Sequence, residues 1–164
     1  MRLSDDVKRF VLDQRLGYHA TVNPDGTPNL SHKGTTSVYD DEHLFFADIR
    51  SPQTVANLRV NPAIEVNVVD VFSRRGYRFK GTATVHERDD VYRRALELLR
   101  DRGYGTYDDR VRSIVLIRIQ SAEQMTSPAY DVGQTETELV DHYIDYYTGL
   151  HRRDHSDAGS AEDR

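Results

Sequence analysis

The stretch "ADIRSPQTVANLRVNP", Ala47 to Pro62, decides how the chain around it is interpreted. It overlaps the end of "HLFFA", an apolar run typical of a buried strand. Pro52 suits the first position of a helix, and Pro62 stands where a helix would have to stop. The segment therefore predicts a short helix that begins directly beside a sheet and carries polar residues at its start: Arg50, Ser51, Gln53 and Thr54.

Those polar residues can be interpreted in two ways. Helix N-termini present unpaired backbone N–H groups and a partial positive charge, so a phosphate group binds there favourably. Ser51 and Thr54 add hydroxyl donors, and Arg50 adds a guanidinium fork. Alternatively, Ser51 only caps the helix and Arg50 is solvated. The sequence leaves both interpretations open.

Segments on either side of this helix have the patterns of strands. "GYHATVN" and "HLFFADI" come before it, and "AIEVNVVDV", "YRFKGTATV" and "SIVLIRI" come after it. With the extended run through Asn29–Ser37, the prediction is six strands. Their short connections favour antiparallel neighbours, and closing them into a small barrel would remove the sheet edges.

Three more helices are predicted along the chain. They span residues 4–15, 88–102 and about 136–150, where apolar residues repeat at helical spacing. Residues 151–164 have no apolar face, so we expect a disordered tail after a single domain of residues 1–150. The last helix carries tyrosines that we interpret as packing at a dimer interface or against the barrel: Tyr143, Tyr146 and Tyr147.

The segment "NLSHKGTTS", Asn29 to Ser37, is unusual for a strand because nearly every residue in it is polar. Gly34 would let a flat ring approach the backbone closely, and Lys33 would add a positive charge. The alternative is an exposed edge strand that Lys33 protects from aggregation. The sequence does not separate a ligand-binding strand from a protected edge.

Composition narrows the function. The 164 residues have a net charge of −5, so the chain lacks the basic footprint of a nucleic-acid-binding protein. There is no cysteine, and the histidines lack metal-ligand spacing. No apolar run approaches the ~20 residues of a membrane span. We expect a soluble cytoplasmic protein that uses no metal and contacts neither membrane nor nucleic acid.

The order of these elements resembles the pyridoxamine 5′-phosphate oxidase-like FMN-binding split-barrel family. The similarity runs over about residues 4–120 and rests on the "DGTPN" hairpin, the polar strand, "LFFAD", "ANLRVNP" and "VVDVFSRRGYRFKGTATV". It implies a mainly β (α+β) fold, a six-stranded antiparallel split β-barrel of Greek-key type with flanking helices. It also implies a homodimer that holds FMN at the subunit interface and acts on a small-molecule substrate.

The resemblance assigns the cofactor-binding residues to two groups. The ribityl chain and the edge of the flavin ring would be lined by His32, Lys33, Gly34, Thr35, Thr36 and Ser37. The phosphate end would be surrounded by Asp48, Arg50, Ser51, Gln53 and Thr54. Lys33 is the best candidate to polarise the flavin. No side chain stands out as a catalytic acid or base.

Three departures from the family pattern bear on function. Gln53 stands where many relatives have a Lys or Arg, so Arg50 and Lys33 would have to neutralise the phosphate. Gly76 replaces a glutamine that often precedes the "R-x-x-G" strand. The C-terminal part reads "YIDYYTGLHRRDHS" and lacks the R-L-x-P pattern of the oxidase. Pyridoxamine phosphate is therefore a poor substrate candidate.

The leading hypothesis is a homodimeric FMN-binding oxidoreductase that exchanges electrons or hydride with a nicotinamide or a small organic substrate. One alternative keeps the fold and uses the deazaflavin F420, whose longer anionic tail could be served by Arg74, Arg75 and Arg78. A second alternative is a non-enzymatic flavin- or haem-binding protein. A third is a barrel that has lost its cofactor.

Overall fold

The computed structural model describes residues 1–158, which contain seven strands and four α-helices. The strands are β1 (Gly17–Val22), β2 (Pro28–Lys33), β3 (Ser37–Val38), β4 (His43–Asp48), β5 (Ala63–Asp70), β6 (Arg75–His86) and β7 (Ser113–Thr126). The helices are α1 (Asp5–Gln14), α2 (Pro52–Val60), α3 (Asp90–Asp101) and α4 (Glu136–Ala158). Within this part of the chain, no helix has both the length and the apolar character needed to cross a membrane.

All seven strands belong to one sheet, in the order β2-β1-β5-β6-β7-β4-β3. The pairs β1–β2, β1–β5, β3–β4 and β4–β7 are antiparallel. β2 and β3 are the two outermost strands, yet only Gly34–Thr36 separates them along the chain. The sheet must therefore curl until its two ends come close. This confirms the predicted antiparallel split barrel with flanking helices.

The prediction of six strands is wrong by one, because the polar strand is interrupted. The Thr36 amide donates to the Lys33 carbonyl oxygen at 3.4 Å, so the chain turns between β2 and β3. The hydroxyl of Thr35 accepts a hydrogen bond from the Ala47 amide of β4 at 3.0 Å. Threonine hydroxyls compete with the backbone for such hydrogen bonds, which explains why this polar segment breaks into two strands.

The chain forms two compact units, and the first comprises Met1–Val69 and Tyr77–Gln124. It contains two buried apolar clusters that both include residues of β4. Phe46 packs in the larger cluster, and Phe45 packs in the smaller one with Ala95 and Leu99 of α3. A strand that is buried on both faces needs consecutive apolar residues, which explains the "LFF" run. The larger cluster also holds the predicted inward positions of β5: Ile64, Val66 and Val68.

Helices α1 and α3 begin with side-chain caps. The hydroxyl of Ser4 accepts from the Val7 amide at 3.4 Å. The carboxylate of Asp89 accepts from the Tyr92 amide at 2.8 Å. Such contacts satisfy amides that have no partner inside the helix. Both predicted helices are confirmed, with ends that differ by one or two residues.

The second compact unit comprises Asp70–Gly76 and the part of the chain that begins at Met125, near the end of β7. The guanidinium of Arg74 lies 4.7 Å from the ring centroid of Tyr143 on α4. The ring centroids of Phe72 and Tyr147 are 6.0 Å apart in an edge-to-face arrangement. Two of the α4 tyrosines thus contact the turn between β5 and β6. Their role at a dimer interface stays a prediction.

Helix α4 begins at Glu136, as predicted, and continues past the predicted end at Leu150 as far as Ala158. Neither proline nor glycine occurs from Leu150 to Ala158, so the backbone chemistry does not require the helix to stop earlier. The tail that was expected over 151–164 is therefore helical over its first eight residues. Residues 159–164 lie outside the described residues.

Candidate functional site

Helix α2 is attached to the sheet partly through polar contacts. The Asn57 amide is buried and donates to the Thr21 hydroxyl at 3.1 Å and to the Asn23 side-chain oxygen at 2.9 Å. The hydroxyl oxygens of Thr54 and Ser31 lie 3.1 Å apart. These contacts tie α2 to β1 and β2. They fix the start of the helix beside the end of β2.

Two predicted phosphate ligands, Gln53 and Thr54, belong to this polar layer. The Gln53 amide donates to the Asn57 side-chain oxygen at 2.8 Å, and the Asn29 amide donates to the Thr54 hydroxyl at 3.4 Å. Asn57 and Asn29 are not among the predicted cofactor-binding residues. The signal that could have found Asn29 is its alternation with Ser31 and Lys33, which places these side chains on one face of β2.

A cavity of about 370 Å³ lies between the end of β2, the end of β4 and the start of α2. Its lining residues are Ser31, His32, Lys33, Gly34, Thr35, Ala47, Ile49, Arg50 and Ser51. Six of them are predicted cofactor-binding residues: His32, Lys33, Gly34, Thr35, Arg50 and Ser51. The other five predicted residues, Thr36, Ser37, Asp48, Gln53 and Thr54, are not part of the lining. The fold thus brings the two predicted groups together at one cavity.

Lys33 is a buried cation in the wall of this cavity, with only 8% of its surface exposed. Its ammonium nitrogen donates to the hydroxyl of Ser31 at 2.6 Å and lies 5.6 Å from the ring centroid of Phe46. Burial lowers the pKa of Lys33, and the charge of Asp48 partly opposes this shift. Lys33 forms no ion pair with any carboxylate whose side chain the structure describes, in residues 1–106 and 108–152. A buried ammonium in this state favours an anionic ligand.

Arg50 and Ser51 flank the start of α2. Arg50 is exposed and forms no ion pair in the described part of the chain. Ser51 is buried, yet its hydroxyl makes no capping hydrogen bond to α2. The interpretation of Ser51 as a side-chain cap is therefore wrong. Pro52 occupies the start of the helix as predicted, where its missing N–H costs nothing.

Asp48 supports the cavity from behind its lining. It is buried at the end of β4, and its carboxylate accepts from the Ser51 amide at 2.9 Å. This contact holds the loop that leads into α2. The carboxylate also acts on Lys33 through its charge, as the pKa of Lys33 indicates. Asp48 thus positions the start of α2.

Gly34 and His32 form the open side of the cavity. A Cβ added at Gly34 would meet no heavy atom within 4 Å, so free space adjoins the backbone there. His32 is exposed and pairs with Tyr18 across β1 and β2. Because successive side chains of a strand point to opposite faces, His32 lies on the face opposite Lys33. The rim of the cavity therefore adjoins the outer face of β1 and β2.

The chemistry of the site is that of anion binding. The lining offers positive charge and hydroxyl groups, and none of its residues forms an acid–base pair. His19, which lies next to this wall, is fully buried, and burial together with the charge of Lys33 lowers its pKa to about 3. His19 is thus neutral at physiological pH. Among the side chains that the structure describes, those of residues 1–106 and 108–152, no cluster of three potential metal-ligating groups occurs.

Comparison with solved structures gives the same fold. HupZ from Group A Streptococcus is 26% identical, with a TM-score of 0.67, and the match covers 76% of this chain and 95% of that one. An F420 reductase is 25% identical, with a TM-score of 0.58 and coverages of 74% and 98%. An FMN-binding protein from Syntrophomonas wolfei shares the fold at 14% identity, with a TM-score of 0.61 and coverages of 74% and 86%.

The sequence also matches a family model. No curated protein matches the chain. The model described as pyridoxamine 5′-phosphate oxidase matches residues 3–140, which is most of the chain. This match agrees with the split-barrel fold. The chain belongs to the pyridoxamine 5′-phosphate oxidase family.

Proposed function

We propose that the protein binds FMN, with the phosphate group held beside Lys33 in the cavity between β2, β4 and α2. The observation that carries this proposal is the buried Lys33 ammonium, which forms no ion pair with the side chains that the structure describes. A phosphate group would supply the missing negative charge. Charge-assisted hydrogen bonds of this kind are about twice as strong as neutral ones.

The donor set fits a phosphate group. Lys33 and Arg50 would supply the two positive charges, Ser51 a hydroxyl, and the first turn of α2 its unpaired backbone amides. Gln53 is neutral and supplies no charge to the phosphate. Its side-chain amide already donates to the Asn57 side-chain oxygen. The volume of about 370 Å³ lies within the range of roughly 300–1,000 Å³ that is usual for ligand sites.

The reaction we propose is electron or hydride transfer between the flavin and a nicotinamide or a small organic substrate. The isoalloxazine ring supplies the redox chemistry when FMN is bound. The protein's own residues bind and orient: Lys33 and Arg50 hold the anionic end, and Gly34 leaves free space beside the backbone. With Lys33 at the anionic end, the earlier expectation that Lys33 polarises the flavin ring is not part of this proposal.

Retention of the cofactor tests this proposal directly. Purified protein is incubated with excess FMN and desalted, and we expect retained absorbance near ~450 nm, the flavin band, with quenched fluorescence. Riboflavin, which lacks the phosphate, is the matched control ligand. Since a charge-assisted contact contributes about 1.5–3 kcal/mol, FMN should bind at least about tenfold more tightly than riboflavin. Equal affinities would contradict a phosphate site at Lys33.

We further propose that two copies of the chain associate through the outer face of β1 and β2. Tyr18, Val22 and Leu30 are exposed apolar residues on these strands, and Leu30 is 66% exposed. The pairs Tyr18–His32 and Ala20–Leu30 place this apolar face next to the cavity rim. Exposed apolar patches of this kind mark interaction surfaces. A second copy there could complete the cofactor site.

Oligomeric state tests this second proposal. Leu30→Glu should convert a dimer to a monomer in sedimentation analysis, because a charge on the apolar face would have to be desolvated. Val60→Glu is the matched control, since Val60 is also an exposed apolar residue and lies on α2 instead. A monomeric parent protein, or dissociation by both variants alike, would refute this interface.

F420 is the second candidate cofactor, because the F420 reductase is 25% identical over 74% of this chain. The three arginines expected to serve its tail already have partners. Arg78 pairs with Glu123, Arg75 lies 3.2 Å from Glu136, and Arg74 stacks on a tyrosine. Parallel titrations compare the affinities of the protein for FMN and F420. Oxygen reactivity gives a second criterion, since F420 transfers hydride only and should not react with oxygen. Tighter binding of F420 would replace FMN in the proposal.

A further inference from the structure

The turn that joins β2 to β3 is held by side chains that do not line the cavity. It contains Lys33, Gly34 and Thr35 of the cavity wall, followed by Thr36 and Ser37. Thr36 and Ser37 are each 1% exposed. Apart from the bond between the Thr36 hydroxyl and the Lys33 carbonyl oxygen, the hydrogen bonds of their side chains go to residues outside the cavity.

Thr36 and His19 make one set of these contacts. The Thr36 hydroxyl donates to the Lys33 carbonyl oxygen at 2.8 Å, and it lies 2.9 Å from Nε2 of His19. A hydroxyl has a single proton, so Thr36 must accept from the imidazole. The neutral His19 ring therefore carries its proton on Nε2. Its other nitrogen, Nδ1, is buried and has no hydrogen-bond partner among the described residues.

Gly17 makes this contact possible. It pairs with Lys33 across β1 and β2. A Cβ at position 17 would lie 2.6 Å from the Thr36 hydroxyl oxygen and 3.0 Å from Nε2 of His19. Any side chain there would push Thr36 away from the imidazole. The close approach of the turn to β1 thus depends on glycine.

Two residues that follow α3 hold the turn from the other side. The guanidinium of Arg102 donates to the Ser37 hydroxyl at 2.6 Å, to the Thr36 carbonyl oxygen at 3.3 Å and to the carbonyl oxygen of Leu12 at 2.6 Å. The hydroxyl of Tyr104 donates to the Gly34 carbonyl oxygen at 2.7 Å. These contacts come from residues 65 or more positions away in sequence.

We propose that His19, Thr36, Arg102 and Tyr104 are positioning residues, which hold the Lys33–Ser37 turn in its ligand-binding conformation before a ligand arrives. Lys33 then meets an anion without reordering the turn, and less conformational entropy is lost on binding. Thr35 extends the same framework, since its hydroxyl accepts from the Ala47 amide on the facing wall. The inference rests on the proposed function only for the identity of the anion.

Hydrogen exchange of the ligand-free protein tests the positioning itself. Thr36→Val keeps the shape of the side chain but removes the hydroxyl. The amides of residue 36 and Ala47 should then exchange about tenfold faster, because the turn opens more often. Thr27→Val is the matched control, since the Thr27 hydroxyl bonds Asp25 in an exposed turn. Unchanged exchange in Thr36→Val would overturn the proposal.

A milder variant covers the case in which Thr36→Val does not fold. Tyr104→Phe removes only the hydroxyl that reaches the Gly34 carbonyl oxygen. We expect exchange in the turn to rise about threefold, with α3 itself unaffected. Equal exchange in Tyr104→Phe and the parent protein would count against the proposal.

FMN affinity then shows whether the ordered Lys33–Ser37 turn strengthens ligand binding. FMN should bind Thr36→Val about tenfold more weakly, while Thr36→Ser, which keeps the hydroxyl, should bind it as the parent does. His19→Gln retains a donor near the Nε2 position and should bind FMN more tightly than His19→Leu. Unaltered FMN affinity in Thr36→Val, despite faster exchange, would overturn the proposal.

The two proposals fail in different ways. If the parent protein does not retain FMN, the proposed function is refuted. Hydrogen exchange needs no cofactor, so it still supports or overturns the proposal that side chains hold the Lys33–Ser37 turn in place. If FMN is retained but exchange in the turn does not respond to Thr36→Val or Tyr104→Phe, the positioning inference alone is wrong.

Discussion

Two groups of basic residues that look alike in the sequence differ in the folded protein. Arg75 and Arg78 are within reach of glutamates, and Arg74 lies over a tyrosine ring. Lys33 and Arg50 line a cavity and have no carboxylate partner in the part of the chain that the structure describes. A positive charge that the protein has already neutralised is a poor binding site. In this protein the pairing of the basic residues, more than their density, therefore distinguishes the candidate site from the arginine cluster.

The largest effect should come from Lys33→Met. We expect FMN to bind about 10- to 100-fold more weakly, because one charge-assisted hydrogen bond of about 1.5–3 kcal/mol is lost. The ligand-free variant should be at least as stable as the parent, since a buried ammonium is removed. Fluorescence titration and thermal unfolding measure the two quantities.

The control for this substitution is Arg78→Met, which removes a basic residue that is already paired. Its FMN affinity should stay within about twofold of the parent, because Glu123 already neutralises the Arg78 charge and Arg78 does not line the cavity. If Arg78→Met weakened FMN as much as Lys33→Met does, the two groups would not differ as proposed.

The second-largest effect concerns His19, which lies beside Lys33, and the pH dependence of the unfolding free energy. Burial, with the charge of Lys33 as a smaller cause, lowers the pKa of His19 from 6.5 to about 3 in the folded protein. Between these values the unfolded state binds more protons, so stability falls as pH drops from about 6.5 towards 3. The slope should approach about 1.4 kcal/mol per pH unit, and above about pH 7 this contribution is constant.

Urea unfolding of the parent and of His19→Gln across pH 4 to 8, in about unit steps, measures this slope by difference. The substitution removes the titrating ring, so the difference between the two proteins should shrink as the pH falls. Parallel pH profiles would mean that the pKa of His19 is the same in the folded and unfolded states. That result would contradict a His19 ring that stays neutral in the folded protein below about pH 6.5.

A smaller effect is expected at Arg50, which is exposed. Arg50→Gln should weaken FMN about three- to fivefold at low ionic strength, and the loss should shrink in about 1 M salt because exposed charges are screened. Lys33→Met should keep most of its effect in salt, because Lys33 is buried. Titrations at two salt concentrations compare them. An identical salt response would contradict the distinction between a buried and an exposed phosphate contact.

The smallest effect is expected in the second unit. Arg74→Ala removes a cation–π contact with Tyr143 and should cost about 0.5–1 kcal/mol of unfolding free energy. Arg74→Lys, which can keep the contact, should cost less. FMN affinity should not change in either variant. A large loss of FMN affinity in Arg74→Ala would move the candidate anion site to the paired arginines.

Local pattern was enough to predict most of the secondary structure. The inward residues of β5 followed from strict alternation, and α1 from an N-cap serine ahead of a helical repeat. The break at Gly34–Thr36 could not be predicted, because it depends on the Thr35 hydroxyl finding the Ala47 amide of another strand. The end of α4 was also missed, since weak amphipathicity does not prevent a helix from continuing.

The predictions for the candidate site were correct for some residues and wrong for others. Sequence reasoning selected Lys33, Arg50 and Ser51 by chemical type, and all three line the cavity. The family resemblance assigned Thr36 to the ribityl chain and ring edge and Gln53 to the phosphate end, although Thr36 bonds His19 and Gln53 bonds Asn57. Residue type alone does not separate a group that faces a cavity from its neighbour that supports it. Arg102 and Tyr104 carried no sequence signal, since their partners are 65 or more residues away.

The sequence by itself determined the order of strands and helices, the proline that starts α2 and the concentration of polar residues on either side of it. These features depend on neighbouring residues, whose periodicity and backbone preferences act locally. Only the tertiary structure decided which basic residues are neutralised and which polar side chains support the Lys33–Ser37 turn. Pairing and burial depend on contacts between segments that are distant in the chain, and the curled sheet creates those contacts.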